Sequence, residues 1–408
     1  MLRRVSISGF RAARNLELRP NALCALVGEA ASGKSTVLTA IWMLLESAAP
    51  VPTSLDVSHG VERVHVEADA GERTIFLDAR PPATLNLNRE GAPPVLFFPA
   101  SLRGGELVAL PTHRRALKAA AVLRSQNGRP EGGVAAIEAV ERLLDAHTRG
   151  LVFLIEEPEL FLSPQAQRHL YRLLRKLSER GNQVLYTTHA ATFLSVTHLD
   201  ELALVRHRRG EGTTLWQPEA LPADETFRAL AEVDAERAEL FLSRAALLVE
   251  GMTEKLVFRL VLEALGHDPD RESLALLECG GKSNIPLFAR ICNACAIPYV
   301  VVHDRDAPRG EEPNESEQVV NAAIAEIAGS ERTVQLVPDF EAVAGLTTAR
   351  NRKKPQKAYR RFSAGRPVPR DVARAVERLL ASARGEEPGV RGSTPPRRNP
   401  RSAPAGRR

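Results

Sequence analysis

The sequence predicts an α/β protein with two successive parallel-sheet units and a basic tail that has no core of its own. Short, fully apolar runs are each followed by a helical pattern, and this alternation starts again near Ala245. After Gly385, proline, glycine, serine and arginine dominate the sequence. Apolar runs of this kind are typical of buried parallel strands, and strand–helix alternation predicts right-handed crossovers. The 408 residues, 44% of them hydrophobic, suffice for about two or three domains.

Composition argues against several classes of protein. No apolar run is long enough to cross a bilayer, and residues 1–7 alternate as a strand does, so neither a membrane segment nor a targeting segment is expected. Four cysteines are too few for a disulfide framework, which favours a cytoplasmic location. The net charge of +5 is due to the arginines of the tail, namely Arg391, Arg397, Arg398, Arg401, Arg407 and Arg408. The global charge alone therefore says little about nucleic acid.

The apolar pattern also predicts domain boundaries. Residues 1–221 form the first unit, with strands at 22–27, 151–155 and 183–186, and residues 222–243 form a connecting helix. Residues 244–362 form the second unit, in which strands at 245–249, 274–277, 299–302 and 333–337 alternate with helices near 253–265, 284–295 and 316–328. A C-terminal helix is expected at 363–384 and a disordered tail at 385–408.

A glycine-rich segment follows the first apolar strand. From Gly28 to Ser35 it reads Gly-Glu-Ala-Ala-Ser-Gly-Lys-Ser, which fits the phosphate-loop pattern G-x-x-x-x-G-K-[ST]. Gly28 and Gly33 let backbone N–H groups face the phosphates, Lys34 would reach the β- and γ-phosphates, and Ser35 would hold Mg²⁺. The alternative is a chance glycine-rich turn. The strand before the motif and the helix from Thr36 after it favour an ATP site that includes Thr36.

Two carboxylates and a histidine end two later strands. Glu156 and Glu157 complete the apolar run 151–155, and His189 follows the strand at 183–186. Such strand ends meet at the carboxyl edge of a parallel sheet, where α/β proteins bind ligands. Glu156 would support Mg²⁺, Glu157 would orient or deprotonate the attacking water, and His189 could contact the γ-phosphate. An acidic helix start or a structural histidine would explain either motif alone, but not three motifs in this order.

These motifs resemble those of ABC-type ATPases, in particular the SMC-like branch that acts in DNA repair and defence. Residues 7–11, Ile-Ser-Gly-Phe-Arg, resemble the first strand and turn of that branch. Residues 156–159 resemble the E-E-P-E of the OLD family (overcoming lysogenisation defect nucleases), and residues 97–100 with Arg103 resemble a further segment of it. Because relatives hold ATP between two subunits, the resemblance implies a homodimer or a higher homo-oligomer.

The sequence departs from that family at several positions. Ala30 stands where many relatives have asparagine, and Phe161 and Ser163 replace frequent histidines. The signature loop that completes a neighbouring subunit's ATP site is matched poorly by residues 125–128. The resemblance therefore favours ATP binding over fast hydrolysis.

A second set of acids follows strands of the second unit. Glu250 follows the run 245–249, and Asp304 and Asp306 follow the run 299–302. Mg²⁺ prefers carboxylate oxygens, and two ions about 4 Å apart can stabilise the attacking and leaving oxygens of phosphodiester cleavage. A solvated turn would explain the two aspartates alone, but their pairing with Glu250 favours a metal site.

Strand-E-G followed by strand-D-x-D resembles the Toprim pattern of topoisomerases, primases and OLD nucleases. Residues 249–254 resemble the V-E-G-x-T-E of OLD proteins, and residues 280–284 resemble their G-x-K-x-N turn. The resemblance implies that Glu250, Asp304 and Asp306 bind the principal Mg²⁺ or Mn²⁺ and that Glu254 helps to hold a second ion. It implies a further acid at Glu341, with Asp339 as its rival. An ordinary acid at a helix start explains Glu341 equally well.

A basic stretch without an intervening acid comes next and contains Arg350, Arg352, Lys353, Lys354, Lys357, Arg360, Arg361, Arg366 and Arg370. Lys354 precedes a proline and resembles a lysine of OLD proteins, where it could stabilise charge on the cleaved phosphate. The stretch could neutralise a DNA backbone; the alternative is a solvated basic face. Few aromatic residues interrupt it, so sequence readout by base stacking is not expected.

Taken together, the motifs predict an ATP-binding DNA endonuclease or nickase of the OLD type, dependent on Mg²⁺ or Mn²⁺ and regulated by nucleotide state. The expected partners are the DNA backbone, further copies of the chain and an unidentified protein, with no membrane. One alternative is a nucleotide-gated DNA-binding switch whose ATPase or nuclease has decayed. Another is a Toprim enzyme that makes primers or relaxes supercoils. Relaxation needs a transesterifying tyrosine; the chain has only Tyr171, Tyr186, Tyr299 and Tyr359, and the first three lie in apparent core elements.

Overall fold

The computed structural model describes residues 1–99, 111–124, 133–194, 198–208, 210–219, 221–346, 354–365 and 367–386. Contacts divide the chain into two compact units, Met1–Ser243 with Arg290–Ile297, and Arg244–Ala289 with Pro298–Arg408. The domain boundaries expected from the sequence stay a prediction. The predicted disorder beyond Glu386, the signature-loop candidate at 125–128, and Ala100, Arg103, Arg350, Arg352, Lys353 and Arg366 lie outside the described residues.

The first unit combines two sheets with the helices that cover them. Its strands are β1 (Leu2–Phe10), β2 (Ala13–Leu18), β3 (Leu23–Val27), β4 (Val64–Ala70), β5 (Arg73–Arg80), β6 (Thr84–Asn88), β7 (Val95–Phe98), β8 (Val152–Glu156), β9 (Gln183–Thr188), β10 (Leu202–Arg208) and β11 (Gly212–Trp216). Its helices are α1 (Lys34–Leu45), α2 (Arg114–Arg124), α3 (Gly133–Asp145), α4 (Pro164–Glu179), α5 (Ala191–Leu194) and α6 (Ala223–Glu232), with 3-10 turns at Ser54–Asp56, Leu199–Glu201 and Arg237–Leu242.

The two sheets differ in strand direction. One is antiparallel, in the order β2–β1–β4–β5–β6. The other has the order β11–β10–β3–β9–β8–β7 and is parallel except for the β10–β11 pair. Helix α1 packs between them, and the residues of β3 are all buried, as expected for a central strand covered on both faces. Along β4 buried and half-buried residues alternate, as is typical of a strand with one face towards the core.

Residues 222–243 do not form the single connecting helix that the sequence predicts. Helix α6 ends at Glu232, and Val233 is extended, with φ −84° and ψ 91°. The Asp234 carboxylate then accepts a hydrogen bond from the backbone N of Arg237 at 2.8 Å. An aspartate side chain that binds a nearby backbone N–H in this way competes with continuation of the helix and favours a turn.

The second unit is built on one parallel sheet. Its strands are β12 (Ala245–Val249), β13 (Leu274–Glu278), β14 (Tyr299–Asp304) and β15 (Thr333–Leu336), in the order β13–β12–β14–β15. The helices of this part of the chain are α7 (Met252–Ala264), α8 (Ile285–Ala294), α9 (Glu315–Ala328), α10 (Phe340–Ala344), α11 (Lys354–Ser363) and α12 (Arg370–Arg384), with a 3-10 turn at Lys282–Asn284. The α/β class predicted from the sequence, with its parallel second sheet, is confirmed.

Helix α12 shows how one face of the second sheet is covered. Its buried residues recur at helical spacing, at Val372, Ala375, Val376, Leu379 and Leu380, and form an apolar stripe. That stripe packs on β12, β14 and β15, and α7 and α11 contribute to the same core. None of the helices in the described part of the chain has both the length and the apolar character that a membrane-spanning segment requires.

Candidate functional site

Strand order in the first unit brings the predicted nucleotide residues to one edge of the sheet. Strand β3 pairs with β9, and β9 pairs with β8, all in parallel. The glycine-rich loop follows β3, His189 follows β9, and Glu156 and Glu157 lie at the end of β8. Three motifs that are far apart in the sequence therefore lie at neighbouring strand ends.

The glycine-rich loop has the close packing that a phosphate cradle requires. A Cβ atom at Gly28 would lie 2.0 Å from the backbone oxygen of Val205, and one at Gly33, which has φ +107°, would lie 2.2 Å from the Thr213 hydroxyl. Only glycine fits such positions without a shift of the neighbouring atoms. The Ser32 hydroxyl is buried and has no hydrogen-bond partner among the described residues. The loop therefore suits a ligand that accepts hydrogen bonds, as a phosphate does.

Lys34 is folded back into this loop. Its Nζ donates to the backbone oxygens of Gly28 at 2.9 Å and Glu29 at 2.7 Å, and the residue is only 5% exposed. Burial lowers the pKa of Lys34 to about 8, although Glu157, Glu159 and Glu29 oppose the shift. Its ammonium group is held by neutral carbonyl oxygens, which an anionic ligand could replace.

Glu157 and His189 are in contact at the same edge. His189 Nε2 lies 3.3 Å from Glu157 Oε1. Burial, and then the charge of Lys34, lowers the pKa of His189, so its ring is neutral at pH 7 and above. A neutral imidazole can donate one hydrogen bond and accept another. Ser35 is exposed and Thr36 is buried in the first turn of α1.

In the second unit, Glu250 and Asp304 come together as the sequence predicts. Strands β12 and β14 are parallel neighbours, and Glu250 Oε1 accepts a hydrogen bond from the backbone N of Asp304 at 2.6 Å. Asp304 Oδ1 accepts another from the backbone N of Phe340 at 2.8 Å. Two acids separated by more than fifty positions in the sequence thus share one strand edge.

Burial and mutual repulsion perturb both of these acids. Burial raises the pKa of Glu250 to about 7, although the Asp304 N–H and Lys282 oppose the shift. Burial, and then the charges of Glu250, Glu254 and Asp306, raises the pKa of Asp304 to about 8. A half-buried pair of carboxyl groups that resist ionisation marks a candidate functional site.

Asp306 forms an ion pair with a lysine to which the sequence assigned no role. Lys282 Nζ lies 2.6 Å from Asp306 Oδ2 and 2.7 Å from Glu317 Oε2, and Lys282 is 9% exposed. Burial alone would lower the pKa of Lys282, but its two ion pairs outweigh burial and raise it. Asp306 itself has φ +62°, a left-handed conformation that is uncommon outside glycine.

The remaining acids lie on the helices around the sheet. Glu254 is buried in the first turn of α7, and burial raises its pKa while Lys354 opposes the shift. Glu341 is buried in the first turn of α10 and pairs with the ammonium group of Lys354. Asp339, the rival of Glu341, instead caps α10 by accepting a hydrogen bond from the backbone N of Ala342 at 2.8 Å.

The donor chemistry of this cluster suits a hard divalent ion, because every acidic ligand offers carboxylate oxygens. The hydrogen bonds and ion pairs of the described residues engage one oxygen each of Glu250, Asp304 and Asp306. Within the ranges that the structure describes, no three His, Cys, Asp or Glu side chains are already grouped so as to hold an ion. Binding of a metal by these three acids would therefore require their side chains to move closer together.

Two residues with clear roles in these contacts had no role assigned from the sequence. Lys282 lies in the turn at 280–284, which was noted only as a family resemblance. Glu159 lies in the E-E-P-E motif and is 6% exposed. Both could have been suspected because a charged residue inside a motif must find a partner once it is buried.

Family models match three parts of the chain. The overcoming lysogenization defect protein-like TOPRIM domain matches residues 241–306, which include Glu250, Asp304 and Asp306. An AAA domain family matches residues 139–195, which include Glu156, Glu157 and His189. A protein family of unknown function matches residues 1–53.

Two curated relatives are nucleases by name. The OLD nuclease of Thermus scotoductus is 34% identical over 226 residues, which cover 51% of this chain and 42% of that protein. The Old nuclease of Escherichia phage P2 is 29% identical over 163 residues, which cover 38% of this chain and 28% of that protein. The match spans less than half the length of either relative. Among solved structures, the SMC head domain from Thermotoga maritima matches with a TM-score of 0.36 and 16% identity over 54% of this chain and 99% of that chain.

Proposed function

Because the chain belongs to the OLD family of ATPase–Toprim proteins, we propose that it is an ATP-binding, divalent-metal-dependent DNA endonuclease or nickase whose nucleotide state regulates cleavage. The observation that carries the proposal is the meeting of Glu250 and Asp304, both with raised pKa values, at the ends of adjacent parallel strands. Such a half-buried acidic pair is destabilising unless protons, protein cations or bound cations compensate its charge.

In this proposal the acids divide into two groups. Glu250, Asp304 and Asp306 would hold the principal Mg²⁺ or Mn²⁺, and Glu254 and Glu341 would hold a second ion. Bound ions would supply an activated water and stabilise the charge that develops on the cleaved phosphate. Lys354, which pairs with Glu341 in the metal-free chain, would bind a phosphate oxygen once the acid takes another partner.

In this proposal the first unit binds ATP and thereby regulates DNA cleavage. Gly28, Gly33 and Lys34 would hold the phosphates of ATP, and Ser35, Thr36 and Glu156 would support its Mg²⁺. Glu157 and His189, which contact each other, would orient the attacking water and sense the γ-phosphate. A homodimer or higher homo-oligomer would complete the ATP site.

The DNA backbone is the proposed substrate surface. Helix α11 exposes Lys357 and Arg360, and α12 exposes Arg370 and Arg374. Exposed cations on the helices that follow the acidic residues in the chain suit binding of a polyanion such as DNA.

Plasmid cleavage tests this function. Supercoiled plasmid is incubated with the protein and Mg²⁺ or Mn²⁺, with and without ATP, beside Asp304→Ala and Lys34→Ala. Glu312→Ala removes an exposed acid that is not a proposed metal ligand and is the matched control. We expect nicking by the parent and Glu312→Ala, none by Asp304→Ala, and loss of the ATP effect in Lys34→Ala. Equal cleavage by Asp304→Ala and the parent would refute the nuclease site.

One observation favours the alternative of a nucleotide-gated DNA-binding switch with a decayed nuclease. Asp306 and Glu341 are already paired with the protein's own cations, Lys282 and Lys354. A switch of this kind would bind DNA in an ATP-dependent manner but would leave the plasmid uncut with either metal, so the same experiment separates the two functions.

A further inference from the structure

A buried carboxylate joins the two loops that carry Glu157 and His189. Glu159 Oε1 accepts a hydrogen bond from the Thr188 hydroxyl at 2.6 Å and another from the backbone N of His189 at 2.9 Å. The Thr188 hydroxyl in turn accepts a bond from the backbone N of Ala190 at 3.1 Å. One side chain from the segment after β8 therefore fixes the backbone of the turn after β9.

The same two loops are tied at two other places. The backbone N of Glu157 donates to the backbone oxygen and the hydroxyl of Thr187, both at 3.1 Å. The His189 ring lies 3.3 Å from the Glu157 carboxylate. Glu159 thus holds the backbone of His189, and the ring of His189 reaches Glu157, so a shift of one loop moves the other.

The second oxygen of Glu159 indicates which property of the side chain matters. Glu159 Oε2 is buried and has no hydrogen-bond partner among the described residues. Burial raises the pKa of Glu159, while the bonds from Thr188 and His189 oppose the shift. A carboxyl group that is protonated on Oε2 keeps both bonds through Oε1, because a carbonyl oxygen also accepts them. The contacts therefore need an acceptor at Oε1 rather than a negative charge.

We propose that Glu159 is a positioning residue that holds His189 at the γ-phosphate end of the nucleotide site and so sets the preference of the site for ATP over ADP. The inference rests on the proposed binding of ATP at the glycine-rich loop. The hydrogen bonds of Glu159 go to protein groups, so it acts through His189. If the hydrogen bonds of Glu159 served only the stability of the fold, its replacement would leave the ratio of ATP to ADP affinity unchanged.

The test compares the Kd values of a non-hydrolysable ATP analogue and of ADP, with Mg²⁺, on the full chain. The variants are Glu159→Ala, Glu159→Gln, His189→Ala and the double variant Glu159→Ala/His189→Ala. In Glu159→Ala we expect the preference for the ATP analogue to fall about tenfold, the scale of one lost hydrogen bond to a charged group, with ADP affinity unchanged. Glu159→Gln keeps an acceptor at Oε1 and should retain the preference. The double variant should be no worse than His189→Ala, because both act on one contact.

Two results would overturn the inference. One is an equal weakening of the ATP analogue and ADP in Glu159→Ala; the other is independent, multiplying effects of the two single variants. Glu159→Met preserves the volume of the side chain and replaces the alanine variant if that variant does not fold. Equal nucleotide binding by the parent and Lys34→Ala would instead refute the ATP site itself, whatever Glu159 does.

Discussion

At the residue scale, folding raises the pKa of the Asp304 carboxyl group and thereby makes the stability of the protein depend on pH. Its pKa rises from an ordinary 3.8 to about 8 on folding, chiefly through burial and then through Glu250. The folded protein therefore binds a proton that the unfolded chain releases. The contribution of Asp304 to the free energy of unfolding is therefore most favourable below about pH 4 and is lost as the pH rises towards 8.

Replacement of Asp304 by asparagine should therefore stabilise the metal-free protein. The amide keeps an oxygen that can accept the hydrogen bond from Phe340 but carries no charge. At pH 8.5 we expect Asp304→Asn to be more stable than the parent by a free energy of unfolding on the order of 1 kcal/mol, and so to melt at a higher temperature. The difference should be smaller at pH 5. Scanning calorimetry at the two pH values, with and without Mn²⁺, measures this.

The response of the melting temperature to Mn²⁺ is the control for that prediction. Mn²⁺ should raise the melting temperature of the parent and have little effect on Asp304→Asn, because ligand binding to the folded state stabilises it. A destabilised Asp304→Asn at pH 8.5, or an equal response of both proteins to Mn²⁺, would contradict the assignment of Asp304 to a cation site.

The same scale shows how far sequence reasoning reaches. Glu250 and Asp304 could be predicted to meet because parallel strands end at one edge, and a strand-end acid needs no side-chain detail to be placed. The pairing of Lys282 with Asp306 and Glu317 could not, because it joins a turn, a strand end and a helix start. Such a contact depends on side-chain reach across three elements, which sequence spacing does not encode.

At the element scale, Lys282 lies in the turn between β13 and α8 and pairs with Asp306, which follows β14, and with Glu317 in α9. Its ammonium group compensates two carboxylates that would otherwise repel each other. We expect Lys282→Met to lower the melting temperature of the metal-free protein, since a buried ion pair that loses one partner leaves an uncompensated charge. Mn²⁺ should then raise the melting temperature of Lys282→Met by more than that of the parent, because the ion replaces the missing cation.

Glu317→Gln is the matched control for this prediction. It removes the acid that is not a proposed ligand while leaving the pairing of Lys282 with Asp306. Its response to Mn²⁺ should equal that of the parent. If Lys282→Met responded to Mn²⁺ no more than the parent does, Lys282 would not act as the counter-ion of the cluster.

Helix α11 is the element on which DNA binding can be tested. Substitution of Lys357 and Arg360 by alanine removes two exposed cations. Affinity for duplex DNA should fall several-fold, and the slope of log K against log salt should decrease by about one to two. The matched control replaces Arg172 and Lys176, which α4 exposes at one-turn spacing. Equal losses in the two double variants, measured by fluorescence anisotropy, would mean that α11 only adds to a general positive charge.

Two elements of the fold were not predicted from the sequence. The antiparallel sheet that includes β4, β5 and β6 was not expected, although residues 64–70 alternate in burial as one-sided strands do. The sequence predicted one α/β unit there because the glycine-rich loop and the later apolar runs dominated the pattern. Helix α11 was likewise not expected. It buries only Ala358 and Phe362, and two apolar residues among many basic ones do not form a recognisable helical pattern.

At the scale of the whole molecule, the question is how many copies of the chain an ATP site requires. The resemblance to ABC-type ATPases implies that ATP lies between two subunits, so a bound and uncleaved nucleotide should hold two copies together. Next to the E-E-P-E motif, Phe161 has φ +65° and is 78% exposed. Single exposed apolar side chains are common on protein surfaces, and Leu55, which is 91% exposed on the antiparallel-sheet side of the first unit, is another example.

Phe161 and Leu55 are both exposed, but only Phe161 lies next to the E-E-P-E motif, so Leu55 can serve as the control in a test of dimer formation. Glu157→Gln should bind ATP without orienting the attacking water, and light scattering after gel filtration should then detect a dimer with ATP but not with ADP. Adding Phe161→Asp should abolish the dimer, because a charge would be buried without a partner at the contact. Adding Leu55→Asp should leave it intact. A dimer that forms without nucleotide, or that tolerates Phe161→Asp as well as Leu55→Asp, would remove this loop from the subunit contact.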